Sequence, residues 1–208
     1  MTHQFHPTVL REYDIRGIIG ETLGEADAYA IGRGFATLLG RPAGAQVAVG
    51  YDGRVSSPML EEALVEGLND SGLDAVRVGM GPTPMLYYAE ASAEDVQGGI
   101  QITGSHNPAN YNGFKMVFQG RPFFGDDIQE LGRLAAVGDG PTEQGPPSGA
   151  TLWMPISTRM LEGLAGIDHA APRAAQDRLG RGQRRRWPRA RTARQTNAGR
   201  APSALHRS

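Results

Sequence analysis

Apolar and polar residues alternate along the first two thirds of the chain in two different periods. From Glu25 to Leu39 the apolar positions Ala28, Ile31, Phe35, Leu38 and Leu39 recur at helical spacing, and Gly40 provides a stop. Gln46 to Gly50 is a short apolar strand running into the turn Tyr51-Asp52-Gly53-Arg54. Ser57 is placed to cap a helix with Pro58 at its first position. That helix continues through Met59, Ala63, Leu64 and Leu68 to Asn69, with Glu61 and Glu62 in its first turn. A strand over Ala75–Val78, closed by Gly79-Met80-Gly81-Pro82, precedes a helix over Pro84–Ala91 and a strand over Gly98–Thr103. Gly113–Phe118 reads as a further strand and Asp127–Ala136 as a helix, after which Val137–Gly149 is rich in Gly and Pro and reads as a linker. Strands alternating with helices predict an α/β fold, a mostly parallel sheet covered by helices. Reactive groups in such sheets collect beyond the carboxyl ends of the strands.

Composition narrows the class. The chain has 208 residues, enough for one large domain or one and a half, with the polarity of a globular protein. It contains no cysteine, which excludes disulfides, thiolate metal sites and a thiol nucleophile. No apolar run approaches the ~18 residues of a membrane span. The polar start Met1–Pro7 lacks the apolar core of a secretory signal, so a cytoplasmic location is expected. The net charge of −1 hides a division: residues 171–208 hold eleven arginines and one acid, Asp177, so that an acidic body is joined to a basic tail. Twenty of the basic residues are arginine, and Lys115 is the one lysine.

The candidate chemistry lies in Ile102-Thr103-Gly104-Ser105-His106-Asn107-Pro108, directly after a predicted strand. Gly104 permits a tight turn and Pro108 stiffens the exit. A serine on a rigid turn beside a histidine can act as a nucleophile. Sequence neighbours, however, tend to point apart, and the chain has no Gly-x-Ser-x-Gly elbow, so a polar turn explains these residues as well. Asn110-Tyr111-Asn112-Gly113-Phe114-Lys115-Met116 returns the chain to the next strand. A lone lysine among arginines suggests that a compact ammonium is wanted there. Arg16, in Arg11-Glu12-Tyr13-Asp14-Ile15-Arg16-Gly17, reads either as a site residue or as a surface arginine paired with Asp14.

TGSHNP, REYDIRG, VGYDGR and NGFKM, in this order and spacing, resemble the first domain of the α-D-phosphohexomutases, within them the bacterial phosphomannomutase/phosphoglucomutase group. The resemblance covers about residues 8–136 and implies a mixed, mostly parallel sheet. It implies a phosphoenzyme: Ser105 carries a phosphoryl group, gives it to a hexose phosphate, and regains the other phosphate from a hexose 1,6-bisphosphate. Mg²⁺ would bind an oxygen of that phosphoserine, making Ser105 a metal ligand by that route. Lys115 and Arg16 would handle phosphate charge and proton transfer, His106 would orient the phosphoserine, and Tyr13 would shape the cleft wall. Asp52 and Arg54 would hold the loops together. The implied enzyme is an intramolecular phosphotransferase interconverting mannose 6-phosphate and mannose 1-phosphate for GDP-mannose and polysaccharide synthesis. Phosphoglucomutase, phosphoglucosamine mutase and a non-catalytic domain fragment are the alternatives. Its partners would be small hexose phosphates, with no membrane and no specific nucleic acid.

The family has four domains, with its Mg²⁺ loop in the second, and no Asp-x-Asp-x-Asp occurs in this chain. The expected organisation is therefore a first domain over 1–136, a linker over 137–150, a remnant of the entry to the second domain over 151–170, and an irregular basic tail over 171–208. That tail reads as an out-of-frame translation. With suitable codons, Leu179–Pro188 read from the second nucleotide spells WDAGNGAAG, which is similar to the opening of the family's second domain. GC-rich DNA in a wrong frame also generates arginine codons in excess. Thr151–Thr158 reads as a second, short out-of-frame patch. An arginine-rich tail with Trp187 as its one aromatic would otherwise bind polyanions only through salt-sensitive charge attraction. Sequencing the gene across codons 145–208 is expected to reveal a displaced frame; an intact frame with codons that do not encode the WDAGNGAAG string would contradict it.

Overall fold

The computed structural model describes residues 2–40, 44–138 and 149–154. Most of the expected linker, the 155–170 part of the expected second-domain remnant, and the whole 171–208 tail lie outside the described residues. In chain order the elements are β1 (Ile15–Ile18), α1 (Glu25–Leu39), β2 (Gln46–Tyr51), α2 (Ser57–Asn69), β3 (Asp74–Met80), α3 (Thr83–Ser92), β4 (Val96–Ile102), β5 (Tyr111–Phe118), β6 (Arg121–Phe123), α4 (Asp126–Val137) and β7 (Thr151–Trp153). The sheet order is β1-β5-β4-β2-β3-β7, with β6 also pairing β5.

The fold is the expected α/β type, a mixed, mostly parallel sheet covered by helices. Strands β4, β2, β3 and β7 pair in parallel, whereas β5 runs antiparallel to β1, β4 and β6. Connection length explains the reversal. Eight residues separate β4 from β5, and a parallel crossover needs about a dozen or more. The short connection that reverses the chain is the loop carrying Ser105.

The main core fills the space between one sheet face and α1, α2 and α4, with Ile31, Phe35, Leu64, Ile100, Phe114 and Leu131 buried in it. A smaller cluster of Ala48, Val76, Val78, Leu86, Ala89 and Val96 seats α3 on the other face. Phe35, Phe118 and Phe123 meet with ring centroids 5.4–5.9 Å apart, each such pair adding about 0.5–1.5 kcal/mol beyond area burial. Helices α1 and α2 approach backbone to backbone. A Cβ on Gly67 would collide with the Tyr29 carbonyl, and one on Gly32 with that of Leu64.

Three strands have no periodic signature. β1 has four residues and β6 and β7 three each, too short for an alternation to register. β7 aligns Thr151 with Ala75 and Trp153 with Arg77 at the sheet edge, inside the stretch expected to be an out-of-frame patch. The start of α2 also departs from expectation. Ser56 occupies the N-cap position without a side-chain cap bond, and Ser57 lies inside the first turn, its hydroxyl donating to Asp52 Oδ1 at 2.7 Å. No acid sits in that first turn. Glu61 instead points inward, only 5% exposed.

Glu61 Oε1 lies 3.0 Å from Arg77 Nε, but the approach is off the N–H direction, and neither atom has a hydrogen-bond partner. Burial pushes the Glu61 carboxyl up to about 7; the charge of Arg77 offsets this in part, and Glu62 adds to it. The folded state therefore holds a proton that the unfolded chain gives up near its ordinary value of 4.5. The stability from this site is complete below that value and is lost as pH rises through about 7. Denaturant titrations at about pH 5 and about pH 8 should show the chain less stable at the higher pH, and Glu61→Gln should shrink the difference; an unchanged pH dependence in that variant would show that Glu61 is not its source.

Candidate active site

Strands β2 and β4 end side by side, and the segments leaving them meet. The β2–β4 register continues to put Asp52 beside Thr103, since Tyr51 pairs with Ile102 and the Asp52 amide donates to the Ile102 carbonyl at 2.9 Å. Asp52 is the hub of a polar network. Its Oδ2 accepts from the Gly104 amide at 3.0 Å, and its Oδ1 accepts from the Arg54 amide at 3.1 Å and from Ser57 Oγ at 2.7 Å. Asn112 Nδ2 donates to both Ser56 Oγ and Ser57 Oγ at 2.9 Å, which ties the start of β5 to the start of α2. Burial pushes the Asp52 carboxyl up, but hydrogen bonds from Ser57, the Arg54 and Gly104 amides and Thr103 outweigh it and hold the carboxyl below its ordinary value.

Arg54 grips the loop from the same turn. Nη2 donates to the carbonyls of Asn107 at 2.7 Å and Ser105 at 3.2 Å. Nη1 donates to those of Pro108 at 2.6 Å and Tyr111 at 2.9 Å. Nε lies 3.4 Å from Asp52 Oδ2. The guanidinium lies against Gly104, where any Cβ would run into it. A side chain at 104 would have to displace the guanidinium and its carbonyl bonds.

Arg16 holds the loop from the other side. It is 4% exposed, so it is not a surface arginine, although it does pair with Asp14 Oδ2 at 2.5 Å. Its Nη1 donates to the Gly104 carbonyl at 2.8 Å, a bond that Asn107 Nδ2 reinforces at 3.2 Å. With these carbonyls turned inward, Ser105 is left exposed. Its amide donates to Thr103 Oγ1 at 2.9 Å, and its backbone is left-handed with φ +53°. An L-residue other than Asn or Asp in that region costs about 1–2 kcal/mol. His106 is exposed beside it, with Nδ1 3.3 Å from Ser105 Oγ. The left-handed backbone brings together two neighbouring side chains that were expected to point apart.

Lys115 and Tyr13 belong to an adjoining feature. Lys115 pairs in register with Gln101 and lies on the same sheet face as Gly113, whose partner is Arg16. With Tyr13, Tyr87 and Phe124 it lines a shallow cavity of about 300 Å³. Tyr13 is 74% exposed and its ring lies 6.4 Å from that of Phe124. The structure thus joins Ser105, His106 and Arg16 in one loop network and Lys115 and Tyr13 in one cavity. Among the described residues Lys115 has no ion-pair partner, and no three His, Asp or Glu side chains converge to hold a metal. The roles of Thr103, Ser57 and Asn112 in this network were not legible from the residues, and Ser57 was expected only as a helix cap. Asn112 stood inside a quoted motif, but a side chain bridging two distant serines leaves no spacing signal.

A profile of the family described as phosphoglucomutase/phosphomannomutase, alpha/beta/alpha domain I, matches residues 7–138, the stretch that builds β1 to α4 and carries the Ser105 loop and the Asp52–Arg54 turn. The chain belongs to this family. It is 49% identical over 123 residues to a phosphoglucomutase of Neisseria gonorrhoeae, covering 59% of this chain and 26% of that protein. It is 38% identical over 161 residues to a phosphomannomutase of Salmonella typhimurium, covering 76% of this chain and 34% of that one. The crystal structure of a phosphoglucomutase/phosphomannomutase family protein from Burkholderia thailandensis superposes with a TM-score of 0.70 at 37% identity, over 79% of this chain and 36% of that chain. The chain therefore spans about a quarter to a third of the length of these relatives. No helix among the described residues is long and apolar enough to cross a membrane.

In this member of the family, Gly104→Ala should expel the Arg54 guanidinium and unmake its carbonyl bonds. A loss of about 1–3 kcal/mol is expected in equilibrium unfolding. An alanine variant as stable as the parent would contradict the close approach.

Proposed function

We propose that this chain is the phosphoserine-bearing domain of a phosphohexomutase, an intramolecular phosphotransferase, with Ser105 as the phosphoryl carrier. The observation that supports this most is the exposed, left-handed Ser105 on a loop whose carbonyls are turned inward. Phosphoryl transfer needs in-line positioning and charge neutralisation more than covalent assistance. A phosphoserine carries about −1.5 to −2 charges. Arg16 and Arg54 are matched by Asp14 and Asp52, so they supply geometry, whereas Lys115 supplies uncompensated positive charge. His106 is within reach of the carrier oxygen and orients it, Lys115 serves phosphate charge and proton transfer, Arg16 supports it from beneath by holding the Gly104 carbonyl, and Tyr13 gives the sugar an aromatic wall.

The reaction proposed is interconversion of mannose 6-phosphate and mannose 1-phosphate through a hexose 1,6-bisphosphate, supplying GDP-mannose and polysaccharide synthesis. The Neisseria relative's name, phosphoglucomutase, favours glucose phosphates as a second substrate pair. Mg²⁺ enters the proposal from the family. A phosphoryl oxygen on Ser105 would give it one ligand, but the described residues do not fit a complete cation site, and no step is derived through the ion. We place the family's first domain at 1–136, a linker at 137–150, the entry to a second domain at 151–170, and the out-of-frame tail at 171–208. The site so placed calls for sequence beyond this domain, and the 208-residue chain alone is expected to give no turnover.

The test is a mannose 1-phosphate isomerisation assay on the polypeptide encoded by the gene in its restored frame, with Mg²⁺ and a hexose 1,6-bisphosphate. Turnover is expected in the parent and background rates in Ser105→Ala. Near-normal turnover in the alanine variant would refute the assignment of Ser105.

A further inference from the structure

We propose that Arg54 is a positioning residue whose grip on four loop carbonyls imposes the left-handed backbone on Ser105 and so aims its hydroxyl. The value of that aim rests on the reading of Ser105 as phosphoryl carrier; the grip itself does not. Arg54 touches neither Ser105 Oγ nor the cavity around Lys115. It reaches Ser105, Asn107, Pro108 and Tyr111 only through their carbonyls. Those four residues span the turn that reverses the chain between β4 and β5. A planar fork with five N–H donors can satisfy carbonyls arriving from several directions, which a lysine ammonium on a flexible stem cannot do with the same fixed geometry.

The two anchors act in opposite senses on the two peptides that flank the one joining Gly104 to Ser105. Asp52 fixes the Gly104 amide, and Arg54 fixes the Ser105 carbonyl. Between them the Ser105 amide is held by Thr103 Oγ1. With both flanking peptide planes pinned, the φ of Ser105 is set by its neighbours rather than by its own preference. A serine at φ +53° persists only where its surroundings over-determine it. Arg16 pins the Gly104 carbonyl as well, but its hydrogen bonds in the loop stop there, and among the described residues Arg54 is the side chain from outside the loop that bonds the carbonyls from Ser105 onward.

The experiment is a double-mutant cycle on the full 208-residue chain, comparing the parent, Ser105→Gly, Arg54→Gln and the double variant by thermal unfolding. Glycine adopts the left-handed region without steric cost. Ser105→Gly in the native background should therefore raise the midpoint by about 2 °C. In the Arg54→Gln background the loop is free to leave that region, and the gain should vanish or reverse. An equal gain in both backgrounds would overturn the proposal. NMR supplies the second readout, through the three-bond amide–Hα coupling of Ser105 in Arg54→Lys, chosen in case the glutamine variant does not fold. A left-handed value in the parent that is lost in the lysine variant, with couplings in β4 and α2 unchanged, is expected; an unmoved value in that variant would equally overturn it. Failure of phosphoryl uptake at Ser105 with the coupling between the two sites intact would refute the carrier reading instead, so the two failures are distinguishable.

Discussion

The paired side chains of Asp52 and Arg54 are the constraint on which the rest of the site depends. They leave the end of β2 two residues apart and take hold of the next loop by opposite chemistry. The carboxylate receives an amide from it, and the guanidinium gives hydrogen bonds to its carbonyls. Each partner is partly buried and would be costly to leave unmatched. Together they satisfy backbone groups that a tight, reversed loop between two strands cannot satisfy within itself. Gly104 is fixed by the same contact, because the guanidinium occupies the space where a side chain would begin. The exposed serine follows from these bonds.

Charge is arranged in the same economical way. Arg16 and Arg54 lie under the loop, each against an aspartate from its own segment, so their positive charge is largely compensated before any ligand arrives. Lys115 stands apart, on β5, in a cavity walled by Tyr13, Tyr87 and Phe124. An ammonium near apolar rings and without a carboxylate partner among the described residues is free to answer an incoming anion. The division of labour is physical. Rigid planar cations serve as brackets, and in the function proposed above a compact flexible one serves as counter-charge.

Much of this was legible in the residues. The helices α1, α2, α3 and α4 and the inner strands carry clear periodicities, and their limits fall within a residue or two of those expected, because burial of one face writes itself into the spacing. The direction of β5 was not written there. It follows from the eight residues that precede it, too few for a crossover. The strands β1, β6 and β7 were illegible because three or four residues make no pattern. At the site, Ser105, His106, Lys115, Arg16 and Tyr13 were marked by motif, yet the burial of Arg16 and the approach of His106 to Ser105 were not. Both depend on backbone conformation, the one on a β-bridge to Gly113 and the other on a positive φ. Ser57 was misread as a cap because its hydroxyl is taken by Asp52, five residues upstream at the end of β2, a bond that no spacing pattern reveals.

Mass spectrometry of the polypeptide encoded by the gene in the proposed frame, after exposure to a hexose 1,6-bisphosphate, bears most directly on the serine at the centre of this arrangement. One phosphoryl increment should appear on the peptide containing Ser105 and should be absent from the Ser105→Ala protein. A folded, intact polypeptide that never acquires that increment, or acquires it on another residue, would contradict the phosphoserine mechanism.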